Sequence, residues 1–190
     1  MKKLILFCSI IFASTSVYAF PKDSTFYSLE KAVVQPQKVK YLILKRKKYT
    51  KIPDAIKSFG NLVYLDLTNN NIQEIDSSIL ACKYLEKLCI AKNKLTNVPA
   101  FLADLEHLHY LDVGSNTITY LPDISQIKHL HTLLLWDNPL FPMPTYLFQT
   151  TQLKVLDVRG IKINKQTRMD LVAALPSTRV YFSPDCNCDH

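Results

Sequence analysis

Glycine is scarce in this chain, which has only three glycines among its 190 residues. A loop that cradles phosphate needs several glycines at fixed spacing, so the sequence offers no such loop. It also contains no Gly-x-Ser-x-Gly nucleophile elbow and no cysteine–histidine arrangement in a catalytic context. Because every motif-based argument for catalysis is absent, we predict that the chain is not an enzyme and uses no cofactor.

Long apolar runs are also rare, and the one present lies at the start of the chain. Two lysines follow Met1, and residues 4–13 are largely apolar. In Val17-Tyr18-Ala19, small side chains stand at the two positions that a signal peptidase reads, just before Phe20. This order is typical of a secretory signal peptide. It predicts that residues 1–19 are removed and that the mature chain, beginning near Phe20, is exported to the periplasm or the cell exterior. A bilayer span takes about 20 apolar residues, so no membrane span is predicted.

Positive charge exceeds negative charge, and the formal net charge is +7. The one dense basic run is Lys45-Arg46-Lys47-Lys48. Short runs of this kind are usually a solvated edge. The alternative is an acidic partner or an anionic surface that the run attracts. No nucleic-acid-binding motif accompanies the run, so a nucleic-acid partner is not predicted.

One pattern recurs along the chain at intervals of 23, 23 and 22 residues. Its first complete copy places Leu62, Leu65, Leu67, Asn70 and Ile72 in the order LxxLxLxxNxL. The complete copies occupy residues 62–72, 85–95, 108–118 and 130–140. Degenerate copies at residues 39–44 and 153–158 precede and follow them. A regular period of this length predicts a repeat architecture.

The repeated motif resembles that of the leucine-rich-repeat family, over residues 39–163. The resemblance implies an α/β solenoid of about six repeats, right-handed, with parallel strands on its concave face and short helical or 3₁₀ turns on its convex face. The residues agree, since LxL alternation predicts a strand with one buried face. Prolines such as Pro53 and Pro99 are suited to open the turns. The asparagines are expected to form a buried ladder of side chains at residues Asn70, Asn93, Asn116 and Asn138.

Both ends of the repeats are expected to carry caps that cover the open solenoid. Residues 20–38 predict an N-terminal helical cap that starts at Ser24 or Thr25 and is stopped by Pro36. Residues 164–190 predict a C-terminal cap and a cysteine-containing tail. There Asn164 begins a helix, and residues 178–182 add a last strand.

The side chains that alternate with the inward leucines are predicted to line the concave face. Six strands about 4.8 Å apart make a surface roughly 24 Å wide, which suits a protein better than a small molecule. Tyrosine and tryptophan are common anchors of protein interfaces. The sequence therefore predicts a protein-binding surface, although aromatic residues on a sheet also pack against cross-strand neighbours. The predicted partner-binding residues are Tyr41, Tyr64, Asp66, Lys87, Tyr110, Asp112, Leu134, Trp136, Asp137, Asp157 and Arg159.

Resemblance to exported bacterial leucine-rich-repeat proteins implies a protein partner, either in the cell envelope or in a host. Three other functions are alternatives. Tyrosine and tryptophan also stack on sugars, which would make the face a carbohydrate-binding surface. The column Asp66, Asp112 and Asp157 has a spacing that an inverting pair of catalytic carboxylates would need, but no closed apolar pocket is predicted around it.

A metal- or redox-linked function is the remaining alternative. His107, His109, His129 and His131 occupy equivalent positions in adjacent repeats, and imidazole binds zinc, copper or nickel. These histidines equally fit variable polar positions, and we predict no metal. In an exported chain, a disulfide at Cys186 or Cys188 is expected. Cys82 aligns with core residues, whereas Cys89 is predicted to point to the concave face with a free thiol.

Overall fold

The computed structural model describes residues 20–184, and these form a solenoid around one parallel sheet. Eight strands follow one another in chain order, each paired in parallel with the next. The strands are β1 (Thr25–Phe26), β2 (Tyr41–Ile43), β3 (Tyr64–Asp66), β4 (Lys87–Cys89), β5 (Tyr110–Asp112), β6 (Thr132–Leu134), β7 (Val155–Asp157) and β8 (Arg179–Tyr181). Strands β2 to β7 come from the six predicted repeats.

Short 3₁₀ turns return the chain from one strand to the next on the convex side. They occupy Asp54–Ser58, Ser77–Ala81, Ala100–Asp104, Ile124–Gln126 and Thr145–Gln149. Proline precedes three of the five, since its fixed φ suits the start of a turn. In the other two, Asp76 and Asp123 accept hydrogen bonds from Ser78 N and Ser125 N at 2.8 and 2.9 Å. An aspartate cap thus replaces the proline.

The hydrophobic core lies between the sheet and these turns. The central leucines of the repeats, such as Leu65, Leu88 and Leu111, are fully buried. Cys82 is also fully buried, beside Phe59 and Leu105, which confirms that it is a core residue. Its thiol contacts the Ile56 carbonyl at 3.6 Å. Burial raises the pKa of this thiol to about 12, so it stays protonated.

The predicted asparagine ladder is confirmed. Asn93 is typical: its side-chain oxygen accepts a hydrogen bond from Ile72 N at 2.9 Å, and its amide donates to the Leu67 and Ile90 carbonyls at 3.0 and 2.9 Å. Asn70, Asn116 and Asn138 make equivalent bonds in the other three complete repeats. Each asparagine therefore ties two neighbouring repeats together through backbone groups that the sheet leaves unpaired.

The residue before the ladder position adopts a left-handed backbone conformation in every repeat. The φ values run from 52° to 78° at Arg46, Asn69, Lys92, Ser115, Asp137 and Gly160. Lys48 has a φ of 62° as well. Only glycine, asparagine and aspartate adopt this region readily, and other residues lose roughly 1 kcal/mol there. The sequence did not predict this turn, because its residue types differ between repeats.

The N-terminal region differs from the prediction of a helix starting at Ser24 or Thr25. Thr25 and Phe26 are instead extended and pair with Tyr41 and Leu42 as strand β1. Helix α1 (Leu29–Val34) begins later, where the Ser28 hydroxyl accepts a hydrogen bond from Lys31 N. The edge of strand β2 offers Thr25 and Phe26 backbone partners, and this outweighs their local helical preference.

The C-terminal region matches the prediction more closely. Helix α2 (Lys165–Ala174) begins at Asn164, whose side chain accepts a hydrogen bond from Thr167 N at 2.7 Å. The predicted last strand is confirmed as β8, which pairs with β7. Residues 1–19 and the tail with Cys186 and Cys188 lie outside the described residues, so the signal-peptide and tail-disulfide predictions stand as they were.

Candidate functional site

Strand pairing aligns the predicted concave residues into columns. The first column runs through Tyr41, Tyr64, Lys87, Tyr110, Thr132 and Val155, each the register partner of the next. All six side chains are half-buried, with one side open to solvent. The spacing of the repeats was sufficient to predict this alignment, because a one-residue slip would turn the leucines outward.

The second column is half-buried at Ile43 on β2 and buried from β3 to β7, whereas the sequence predicted exposed groups. Asp66, Cys89, Asp112, Leu134 and Asp157 are at most 3 % exposed. They do point to the concave side of the sheet, but longer side chains of the flanking columns cover them. Leu134 and the three aspartates therefore form the floor of the face and are not its contact surface.

The buried aspartates hold the chain where it leaves each strand. Asp66, Asp112 and Asp157 accept hydrogen bonds from the backbone N–H two residues later, at 3.0, 3.0 and 3.1 Å. This bond fixes the start of the left-handed turn in three of the six repeats. Backbone geometry thus explains the aspartate at this position.

Two of these carboxylates lie against cations. Lys45 Nζ is 2.9 Å from Asp66 Oδ2, and Tyr64 donates its hydroxyl to the same oxygen at 2.8 Å. Arg159 binds Asp157 through two guanidinium nitrogens, Nε at 2.8 Å and Nη2. Both pairs stand at the edge of the concave face, where Lys45 and Arg159 cover the carboxylates beneath them.

The third carboxylate, Asp112, lies beneath Trp136. Burial raises the pKa of Asp112 to about 7, although hydrogen bonds from Gly114 N–H and the Trp136 side chain oppose the rise. The Asp66 and Asp157 charges raise it further. Because Asp112 is only 3 % exposed, a substrate has no access to its carboxyl group. The geometry therefore does not favour the carboxylate-pair alternative.

Trp136 lies across the preceding repeat because Gly114 has no side chain. A Cβ atom at Gly114 would be 2.1 Å from Trp136 Nε1. Lys92 Nζ lies 5.9 Å from the indole ring centroid, within reach of a cation–π contact. Trp136 is therefore half-buried at the end of the face where the chain leaves the strands.

Phe20 covers the N-terminal end of the first column, which the sequence did not predict. Its ring stacks on Tyr64 with centroids 5.0 Å apart and tilts against Tyr41 at 4.8 Å. Tyr41 and Tyr64 thus contact the chain's own first described residue. The part of the face that Phe20 leaves uncovered runs over β4 to β7.

Two comparisons with known proteins bear on this geometry. A leucine-rich-repeat family model matches residues 60–118. A leucine-rich-repeat protein of Leptospira interrogans superposes with a TM-score of 0.67, at 24% identity over 83% of this chain and 46% of its own. Internalin C2 of Listeria monocytogenes superposes with a TM-score of 0.66 and 24% identity, over 85% of this chain and 69% of its own. The chain folds as a leucine-rich-repeat solenoid.

A third solved structure shares this solenoid. It is a plant peptide hormone receptor in complex with RGF2, with a TM-score of 0.61 and 22% identity over 76% of this chain and 24% of the receptor. The chain thus spans less than half of both the Leptospira protein and the receptor. No curated protein matches the sequence. Within residues 20–184 of the solenoid, no helix has the length and apolar character needed to cross a bilayer.

The four histidines lie at the edge of the solenoid where strands begin. His107, His109, His129 and His131 line an open groove together with Glu106. The His109 and His131 rings are 6.3 Å apart, and His107 stacks on Tyr84 at 5.8 Å. In the described part of the solenoid, no three His, Cys, Asp or Glu side chains are arranged to hold a metal ion. The geometry does not favour the metal alternative.

Cys89 and Asp137 complete the predicted residues. Cys89 does lie on the concave side, but it is fully buried, with its sulfur 3.8 Å from the Tyr64 hydroxyl. Asp137 is exposed on the turn after β6, in the left-handed conformation. Gly160 allows Asp137 to sit there, because a Cβ atom on Gly160 would lie 2.1 Å from Asp137 Oδ1.

Proposed function

We propose that this solenoid is a non-enzymatic module that binds another protein through the concave face of its sheet. The observation that carries the proposal is the first column, in which half-buried side chains stand in register across consecutive strands. Trp136 adds an aromatic ring on the turn after β6, against Gly114 of the preceding repeat. Amphipathic rings on a rigid sheet bury large areas with little loss of conformational entropy.

The footprint of the partner is proposed to centre on strands β4 to β7. Phe20 already occupies the aromatic surface of Tyr41 and Tyr64, so a partner gains little area there. Lys87, Tyr110, Thr132 and Trp136 remain as the contact residues, above a floor that includes Leu134. The plant receptor in complex with RGF2 is a solenoid of similar fold that binds a peptide, which supports a protein or peptide partner here.

Photocrosslinking tests this footprint. With p-benzoylphenylalanine at Tyr110, we expect a protein adduct after irradiation in the native extract or medium, identified by mass spectrometry. The matched control carries the same group at Tyr120, which is 65% exposed but outside the sheet. Once the adduct is identified, Tyr110→Ala is expected to weaken its binding by about 2 kcal/mol, roughly 30-fold. Equal protein adducts at both positions, or a glycan adduct at Tyr110, would contradict the proposal.

We also propose that the chain is exported and that cleavage after Ala19 leaves Phe20 as the first residue. The stacking of Phe20 on Tyr41 and Tyr64 supports this, because it gives the new terminus a defined position. We expect protein isolated from the periplasm or medium to start at Phe20 by N-terminal sequencing. A protein that retains residues 1–19 after fractionation would show that the segment is not removed.

A further inference from the structure

The turns that follow the strands carry most of the cations near the concave face. We name residues 45–48, 68–71, 91–94, 114–117, 136–139 and 159–162 the exit rim. The rim contains eight lysines and arginines and a single acid, Asp137. Lys45 and Arg159 are held by buried carboxylates. The other six are Arg46, Lys47, Lys48, Lys92, Lys94 and Lys162.

The convex back has the opposite charge. Residues 51–58, 73–81, 96–104, 119–127 and 141–149 contain five acids and two lysines. One of these lysines, Lys51, pairs with Asp54 at 2.9 Å. A basic protein whose charge served only solubility would not need to separate the two signs by face. The cations are concentrated where a ligand of the concave face would pass.

Backbone conformation gives a second, independent indication. Arg46, Lys48 and Lys92 have φ values of 57°, 62° and 56°, in a region that disfavours long side chains. Asn69, Ser115, Asp137 and Gly160 occupy the position equivalent to Arg46 and Lys92 in other repeats, so the fold itself does not require a cation there. Strained residues cluster at functional sites. Here the property that long cations supply and asparagine lacks is charge.

We propose that the exit rim binds an acidic segment of the protein that occupies the concave face. The inference rests on the proposed function and names the chemistry of the partner. Lys92 and Trp136 both belong to the rim, and the Lys92 ammonium lies 5.9 Å from the Trp136 ring centroid, so a ligand that contacts this ring also meets a rim cation. Lys47 is partly matched by Glu30 on helix α1, so the segment is expected to meet mainly Arg46, Lys48 and the lysines of the later repeats.

The spacing of the cations favours a polypeptide over a regular polyanion. They cluster in the first, third and last repeats, about 10 and 14 Å apart at a strand spacing of about 4.8 Å. The turns between them, residues 68–71, 114–117 and 136–139, contain no cation. Nucleic acid and sulfated glycans carry closely spaced charges that would pair with a continuous row. Individual carboxylates on a folded or extended protein fit separated clusters.

The test uses the triple variant Arg46→Asn/Lys48→Asn/Lys92→Asn. Asparagine suits the left-handed conformation, so thermal stability should be unchanged or higher. The probe is a fluorescent glutamate–tyrosine copolymer, with heparin as the regular polyanion, measured by anisotropy at about 20 and about 200 mM salt. We expect the rim variant to bind the copolymer at least about tenfold more weakly, with a flatter salt dependence. The control triple Lys57→Asn/Lys83→Asn/Lys128→Asn, at exposed sites off the rim, should stay within about twofold.

Three results would overturn the rim proposal. The first is that the wild type does not bind the copolymer at low salt. The second is that the two triple variants lose copolymer affinity equally. The third is that heparin binds the wild type more tightly than the copolymer does, and that the rim variant loses this heparin binding. The crosslink at residue 110 separates this proposal from the proposed function. If the rim variant still crosslinks the same protein with unchanged affinity, the concave face remains the binding site and the rim has no part in it.

Discussion

Replacement of Asn93 by alanine is expected to lower the free energy of unfolding by about 3–5 kcal/mol. The Asn93 side chain lies between two repeats and serves Ile72 N, Leu67 O and Ile90 O, at 2.9, 3.0 and 2.9 Å. It is only 9 % exposed, so water cannot replace all three bonds. The Ile72 N–H loses its acceptor, which costs about 1–3 kcal/mol. The Leu67 and Ile90 carbonyls keep a second bond, from the amides of Asn70 and Asn116 at 2.7 and 3.2 Å, so each of the two lost bonds to them costs only about 1 kcal/mol.

Urea denaturation followed by circular dichroism measures this effect. Asn97→Ala, at an exposed position four residues away, is the control and should change stability by less than about 0.5 kcal/mol. Asn93→Asp is informative too, because aspartate keeps the acceptor for Ile72 N but has no N–H to donate to the two carbonyls. It should therefore also be strongly destabilised. A loss below about 1 kcal/mol in Asn93→Ala would mean that the ladder contributes little to the coupling of repeats.

The repeat region could be predicted almost completely from the sequence. Leucines such as Leu65, Leu88 and Leu111 alternate with polar residues at a fixed interval, and only one register buries all of them. That register also determined the first column and the position of the asparagine ladder. These features follow from local periodicity and from identical contacts between neighbouring repeats, so no long-range information is needed.

Contacts that break the repeat could not be predicted in the same way. Phe20 packs on Tyr41 and Tyr64 from outside the periodic region, and Thr25 and Phe26 join the sheet because β2 offers an unpaired edge. Both depend on tertiary partners that have no sequence spacing in common. The left-handed turns were missed for a different reason. The backbone repeats there, but residues such as Arg46 and Lys92 are not the types that normally indicate the conformation.

The main error in the predicted site was the exposure of the second column, whose side chains were expected at the surface and are buried from β3 to β7. Alternation gives the side to which a residue points, but its exposure depends on what its neighbours cover. Trp136 extends over Gly114 and hydrogen-bonds to Asp112, so the aspartate lies beneath a ring from the next repeat. A glycine beside a tryptophan in adjacent copies of the same column was the one available signal. It indicates a large side chain lying flat on its neighbour.

The burial of Asp112 has a consequence for the dependence of stability on pH. The pKa of Asp112 rises from its ordinary value of 3.8, which applies to the unfolded chain, to about 7 in the folded solenoid. Between these values the native state keeps a proton that the unfolded chain releases. A rise in pH therefore favours unfolding across this range. The contribution of Asp112 to the free energy of unfolding is fully present below about pH 4 and is lost as the pH rises through about 7. The total loss is at most about 4 kcal/mol.

Asp112→Asn removes this titration and retains an oxygen that can accept the bond from Gly114 N. Unfolding free energies of the wild type and the variant should be compared at about pH 5 and about pH 8. The difference between the two proteins isolates Asp112, because every other group titrates in both. From about pH 5 to about pH 8, we expect the free energy of unfolding of Asp112→Asn to rise by at least about 2 kcal/mol relative to that of the wild type. Trp136→Phe should act in the opposite direction, since it keeps an aromatic ring but removes the indole N–H that stabilises the ionised Asp112. If the wild type and Asp112→Asn differ by the same amount at both pH values, the carboxyl group is ionised throughout, and the Trp136 ring does not seal it from water.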